Sequence, residues 1–187
     1  MPRWTPGFVS KLIAVLWCAI AGPLVFGADS PVAKEHQLKA AFTYQFVKFV
    51  EWPAGRFDDA ASPLILGVTG SGPISVALQE AVKDRKINGR PLIVKVLETP
   101  EAATTVHVLF VTSDQDNRLG PWLTNLAGRG VLTVGETAAF VKGGGVLNFI
   151  PEGDKLRFEI DLDAVQRAGL KISAHLQGLA KSIRRKK

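Results

Sequence analysis

Between Lys34 and Pro53 the chain reads KEHQLKAAFTYQFVKFVEWP, with apolar residues at Leu38, Ala41, Phe42, Phe46, Phe49 and Val50. Spacings of three and four residues place these positions on one stripe of a helix. Proline disfavours helical backbone at the residue before it, so the pattern predicts that this helix stops near Glu51 or Trp52. Asp58 to Pro63 reads as loop. Short alternating units follow: Leu64–Thr69 (LILGVT) as a strand, then a turn and a helix carrying Ile74, Ala77, Leu78, Ala81 and Val82 on one face, with Pro73 in its first turn. INGR is a turn before the strand PLIVKVL, VHVLFVT (Val106–Thr112) is a buried strand, and VLTV is another. Between those last two strands, Leu119, Trp122, Leu123 and Leu126 give a further helix an apolar face.

Strands separated by helices predict a mostly parallel sheet covered on both faces. The far end reads differently, because VLNFI and KLRFEID flank the turn PEGD and predict an antiparallel edge hairpin. Leu156, Phe158 and Ile160 alternate there with Arg157, Glu159 and Asp161, which places the three charges on the wetter face. Asp161 or Asp163 can cap the next helix, which Gly169 ends in a left-handed conformation. Ser173 caps a last helix whose stripe is Leu176, Leu179, Ala180 and Ile183, ahead of a frayed basic tail from Lys181 to Lys187. The fold class is therefore α/β, a single three-layer domain with a mostly parallel mixed sheet and an antiparallel edge hairpin.

The N-terminus changes the picture. Arg3 and Lys11 precede an apolar run from Leu12 to Phe26, then the small residues Gly27 and Ala28. That order marks a secretory signal peptide, and the run falls short of the roughly 20 residues of a spanning helix. Residues 1–28 are expected to be removed and 29–187 to form the domain, with no transmembrane segment and a basic C-terminal tail. Of the 23 basic and 17 acidic residues, Arg3 and Lys11 leave with the leader. The remaining positive balance is mild, unlike the concentrated stripe that tracks a phosphate backbone, so no nucleic-acid partner is expected. Cys18 is the only cysteine. It leaves with the leader, which excludes disulfides, zinc–thiolate sites and a cysteine nucleophile in the exported chain.

Chemistry is sparse. GVTGSGP follows a strand and opens a helix, where backbone N–H groups can hold an anion. It lacks the lysine and hydroxyl of a nucleotide loop and the dinucleotide glycine spacing. Gly70, Ser71 and Gly72, with Ser113 at the carboxyl end of a neighbouring strand, form the candidate ligand site. His36, His107 and His175 have no metal-site spacing. No nucleophile elbow is present, and no cofactor and no enzymatic activity are expected. The surface candidates for a protein partner are Tyr44, Lys48, Glu51 and Trp52 at the end of the first helix, and Arg157, Glu159 and Asp161 on the hairpin.

LKAAFTYQFVKFVEWP (Leu38–Pro53) resembles the opening helix of the YfiR-type periplasmic proteins (YfiR/HmsC-like). INGRPL, VHVLFVT, VLTVGETAAFVKGGGVLNF and RFEIDLDAVQRAGLKISAHLQGLA resemble later segments of that family in the same order. The resemblance implies a periplasmic α/β domain, often a homodimer, that represses a membrane-bound diguanylate cyclase by binding its periplasmic sensory region. Release of that inhibition raises cyclic-di-GMP and favours biofilm. Named relatives carry disulfide cysteines linked to redox sensing. Val106 stands where many have one, so gating by the chain's own thiols is excluded. The alternative expectation is a periplasmic small-ligand-binding module associated with an envelope receptor or transport system.

The leader generates a direct prediction: protein recovered from the periplasm begins near Ala28 or Asp29. Intact-mass measurement checks this, and periplasmic material that retains Leu12–Phe26 contradicts it.

Overall fold

The structure, a computed structural model, describes Met1 and residues 31–185, so the leader and the last two residues of the basic tail lie outside the described residues. Helix α1 (Pro31–Val47) leads into the two-residue strand β1 (Val50–Glu51), then β2 (Leu64–Thr69) and α2 (Pro73–Val82). β3 (Lys86–Ile87) and β4 (Arg90–Leu97) form a hairpin, followed by a 3-10 segment at Pro100–Thr105 and β5 (Val108–Phe110). A second 3-10 segment (Ser113–Arg118) precedes α3 (Leu119–Leu123), a 3-10 turn (Thr124–Leu126), β6 (Leu132–Gly135) and α4 (Ala138–Lys142). The chain then makes β7 (Leu147–Glu152), β8 (Lys155–Asp161), α5 (Leu162–Ala168), β9 (Lys171–Ile172), α6 (Ala174–Leu179) and β10 (Ser182–Arg184).

The main sheet has the order β10-β8-β7-β6-β5-β2-β4-β3. Its centre is parallel, and the β3–β4 and β7–β8 pairs are antiparallel. This is the mixed, largely parallel sheet that the alternating pattern predicts. β2 runs through the middle as an apolar segment because both its faces are covered. Leu66, Val68, Val108, Phe110, Leu132 and Val134 face one buried cluster, to which α1, α2, α5 and α6 contribute. Leu109, Val111 and Val131 face a second cluster with Ala103, Leu119, Trp122, Leu126 and Phe140. In that second layer Phe140 lies against both Gly135 and Gly145, where a methyl group would overlap its ring.

Local signals hold where local chemistry decides. Asn88 and Gly89 have φ of 52° and 80°, the left-handed pair of a tight hairpin turn. Asp161 accepts a 2.7 Å hydrogen bond from the Ala164 N–H and caps α5, while Gly169 closes that helix at φ 74°. The Ser173 hydroxyl accepts from the Leu176 N–H at 3.2 Å and caps α6.

The two ends of the chain correct the pattern. α1 stops at Val47, not at Glu51 or Trp52, because Val50 and Glu51 pair with Ile172 and Lys171 as an antiparallel ladder. The Ser173 N–H extends it, donating to the Phe49 carbonyl at 3.0 Å. The predicted stripe on α1 is split. The helix buries Ala40, Thr43, Tyr44, Phe46 and Val47 and leaves Phe42 partly exposed and Leu38 42% exposed, while Phe49, just beyond its end, is partly exposed. Ile183 does not continue α6. Ser182–Arg184 adds to β8 as a parallel edge strand, led in by a 2.8 Å bond from the Lys181 N–H to the Phe158 carbonyl, so this part of the tail is not frayed. VHVLFVT contributes only Val108–Phe110 as strand.

The close approach at Phe140 predicts that Gly135→Ala destabilises the fold by about 1–3 kcal/mol through overpacking. In a denaturation double-mutant cycle with Phe140→Leu the two losses are less than additive. Full additivity would show that the ring does not set the constraint.

Candidate functional site

At the end of α1, Tyr44 is buried rather than presented at the surface, with the Lys48 ammonium 4.5 Å and the Arg85 guanidinium 4.8 Å from its ring centroid. Trp52 is half-buried, and its indole N–H donates to the His107 carbonyl at 3.3 Å. Its ring meets Phe57 edge-on at 6.1 Å, and Phe57 stacks on the His107 imidazole at 4.3 Å. Arg90 lies 3.9 Å from the Phe57 centroid and donates to the carbonyls of Asp59 and Ser62. Arg56 donates to the carbonyls of Gly130, Thr104 and Val106. Trp52 is thus one member of a stacked assembly that fixes the loop between β1 and β2. His107 Nδ1 accepts the Ile65 N–H at 3.0 Å. Burial, helped by the charges of Arg56 and Arg90, lowers the His107 pKa to about 4. Of the first group, Lys48 and Glu51 remain exposed.

On β8 the three charges divide. The Asp161 carboxylate is committed to capping α5. Glu159 accepts from the Asn148 amide at 3.1 Å and from the Ser182 hydroxyl at 3.4 Å, linking β7, β8 and β10 across one face. Arg157 is exposed and, among the described residues, makes no side-chain hydrogen bond or ion pair. It lines a groove of about 410 Å³ between α1, β8 and α6. Phe46, Phe158 and Leu176 are buried beneath this groove, and Phe42, Phe49, Leu156 and Leu179 form its more exposed sides with Gln45. The sequence reading missed these residues as a site because it assigned Phe42, Phe49 and Leu179 to core stripes. The available signal was an apolar arc on α1 too wide for one buried face.

The glycine-rich turn lies at the carboxyl ends of β2 and β5. Gly70 has φ 79° and donates its N–H to the Leu97 carbonyl at 3.5 Å. Ser71 is exposed, and the Gly72 N–H is taken up by the Ser75 hydroxyl at 3.2 Å. A Cβ on Gly70 would sit 3.9 Å from Asp114 Oδ2. Hydrogen bonding from Thr112, opposed by burial and aided by Gln115, lowers the Asp114 pKa. A carboxylate held in its charged form here opposes an anion at the turn. Ser113 offers its N–H to Glu136 Oε1 at 3.0 Å, and Glu136 Oε2 accepts from Lys39 at 2.6 Å. Lys39 is buried and also pairs with Glu35. Burial pushes its pKa down but is outweighed by Glu136 and Glu35, which hold it above the ordinary value. The structure therefore brings Gly70 and Ser113 to one edge of the sheet and places their N–H groups in intramolecular bonds. Among the described residues no cluster of three or more His, Cys, Asp or Glu could hold a metal ion, and no helix is long and apolar enough to cross a membrane.

The model of a family described as YfiR/HmsC-like matches residues 36–181. No curated protein matches. A solved conserved domain protein from Vibrio cholerae is similar at TM-score 0.55 and 10% identity, over 80% of this chain and 60% of that one. The similarity is one of fold, and this chain spans less than two thirds of that structure. An ABC domain from Streptococcus pneumonia in complex with L-Trp overlaps at TM-score 0.48 and 10% identity, over 64% of this chain and 55% of that one.

The His107 environment yields a pH prediction. In the unfolded chain this imidazole protonates near its ordinary 6.5, whereas in the fold it resists protonation until about 4. Between those values the unfolded state binds more protons, so stability falls as the pH falls through that window. His107→Asn, which keeps an acceptor for the Ile65 N–H, removes that component. Urea denaturation of both proteins from pH 7 to 4 measures it, and parallel stability–pH curves would contradict it.

Proposed function

Because the chain belongs to the YfiR/HmsC-like family, whose members are periplasmic regulatory proteins, we propose that it restrains a membrane-bound diguanylate cyclase by binding the enzyme's periplasmic sensory region. It is a regulatory protein without chemistry of its own. The observation that best supports binding is how the polar groups are used. Asp161 caps a helix, Glu136 ties Lys39 to Ser113, and His107 satisfies the Ile65 N–H. Lys48, Glu51 and Arg157 are instead exposed, and Arg157 lines a groove with the half-buried rings of Phe42 and Phe49. Charged side chains around exposed apolar groups are what a partner can recognise and orient on.

In this reading Lys48, Glu51, Arg157 and Glu159 contribute contacts, whereas Trp52, Tyr44 and Asp161 act by shaping the surface that carries them. Any input signal acts by changing the equilibrium between free and bound protein. Thiol oxidation of the exported chain cannot be that input, because Cys18 is the only cysteine. The apolar groove favours a second reading, in which a small ligand is recognised.

The cyclase reading predicts that loss of the protein raises cellular cyclic-di-GMP several-fold and that the wild-type chain restores it. Glu51→Arg and Arg157→Glu, each exported and folded by circular dichroism, restore less than half of the repression. Nucleotide quantification by mass spectrometry reads this out. Full repression by both variants contradicts the assigned surface, and an unchanged cyclic-di-GMP level on loss of the protein contradicts the cyclase reading itself.

A further inference from the structure

The groove outside α1 is lined mostly by apolar side chains. Its volume of about 410 Å³ lies within the roughly 300–1,000 Å³ of small-molecule sites. Phe42 and Phe49 present ring surface to it, and Leu179, 53% exposed, stands on the α6 side. An apolar ligand that covers this surface would be favoured by the release of water from it.

The polar groups lining the groove are few. Among the described residues, Gln45 is the only uncharged polar side chain that lines it and Arg157 the only charged one, and no carboxylate does. Glu152, whose carboxylate feels the Arg157 charge, is already paired with Lys181 at 2.5 Å. Arg157 is thus a guanidinium beside an apolar channel with its fork of donors unused by any carboxylate among the described residues. That fork matches a carboxylate in two-point geometry.

We infer that this groove binds a free aliphatic carboxylate, with its hydrocarbon chain against Phe42, Phe49 and Leu179 and its carboxylate at Arg157. The apolar lining recognises the chain without regard to its exact length, and the single cation sets its direction. Arg157 is exposed, so the charged end stays hydrated and the carboxylate need not be desolvated completely. The inference does not rest on the cyclase reading, because binding needs no partner protein.

Isothermal titration of the protein purified from periplasm with decanoate, kept below its micelle concentration, tests this directly. The expected result is saturable binding of one decanoate per chain. Arg157→Gln should weaken it about tenfold, the loss of one charged hydrogen-bonded contact, while leaving the weaker binding of uncharged 1-decanol unchanged. Leu179→Glu should weaken both ligands, and both variants change exposed positions, so circular dichroism should show an intact fold. Absence of saturable decanoate binding overturns the inference, as does an affinity indifferent to both substitutions. Adsorption to phosphatidylglycerol vesicles without decanoate binding would also overturn it, by identifying a lipid surface as the occupant.

Discussion

The placement of Phe46 governs the rest of the molecule. Its ring stacks on Phe149 at 5.6 Å and meets Phe158 at 4.8 Å, joining the first helix to a hairpin more distant in sequence than any local signal reaches. Burying such a side chain contributes about 1.5–3 kcal/mol, and each aromatic contact adds about 0.5–1.5 kcal/mol. Once Phe46 points inward, the rotation of α1 is determined. Tyr44 and Val47 turn toward the core, Lys39 meets Glu136, and Phe42 and Phe49 are left on the outer side. The groove is a consequence of that rotation. A helix with so broad an apolar arc cannot bury all of it against one surface.

The same constraint decides which polar groups hold the structure together. Lys39 is buried and would be costly alone, yet with Glu136 and Glu35 it stays charged and ties α1 to the loop after β6. Glu136 extends the tie to the Ser113 backbone, so one carboxylate joins α1 to the ends of two strands. At the opposite edge of the sheet, Arg56 and Trp52 serve backbone carbonyls, and His107 is kept neutral by burial and neighbouring cations. The polar atoms of these sites are directed at the fold. Lys48 and Glu51, just past the end of α1, and Arg157 on β8 remain exposed.

What was legible in the sequence follows the range of the interactions involved. LILGVT and the Asn-Gly turn were readable because a run buried on both faces and a left-handed turn each carry their own residue signature. Asp161, Gly169 and Ser173 were readable for the same reason, since capping is decided within a few residues. The end of α1 was not, because it depends on Val50 pairing with Ile172. Neither was β10, whose Ile183 fits a helical stripe equally well until Ile160 is placed beside it. Among the candidate site residues, exposure of Lys48, Glu51 and Arg157 was legible from their chemistry. The burial of Tyr44 and the commitment of Trp52 to the His107 carbonyl depend on tertiary neighbours. Phe42 and Phe49 show the deeper limit: the pattern that marks a core residue also marks an apolar groove, and only the rotation of the helix distinguishes them.

Function by protein recognition is the central claim, and affinity capture of the protein from solubilised envelope, with mass spectrometry of what is retained, tests it most directly. The account predicts specific recovery of a membrane diguanylate cyclase, lost on competition with free protein. Specific recovery of a receptor or transporter component in its place would contradict the account and turn the molecule into a ligand-binding module of that system.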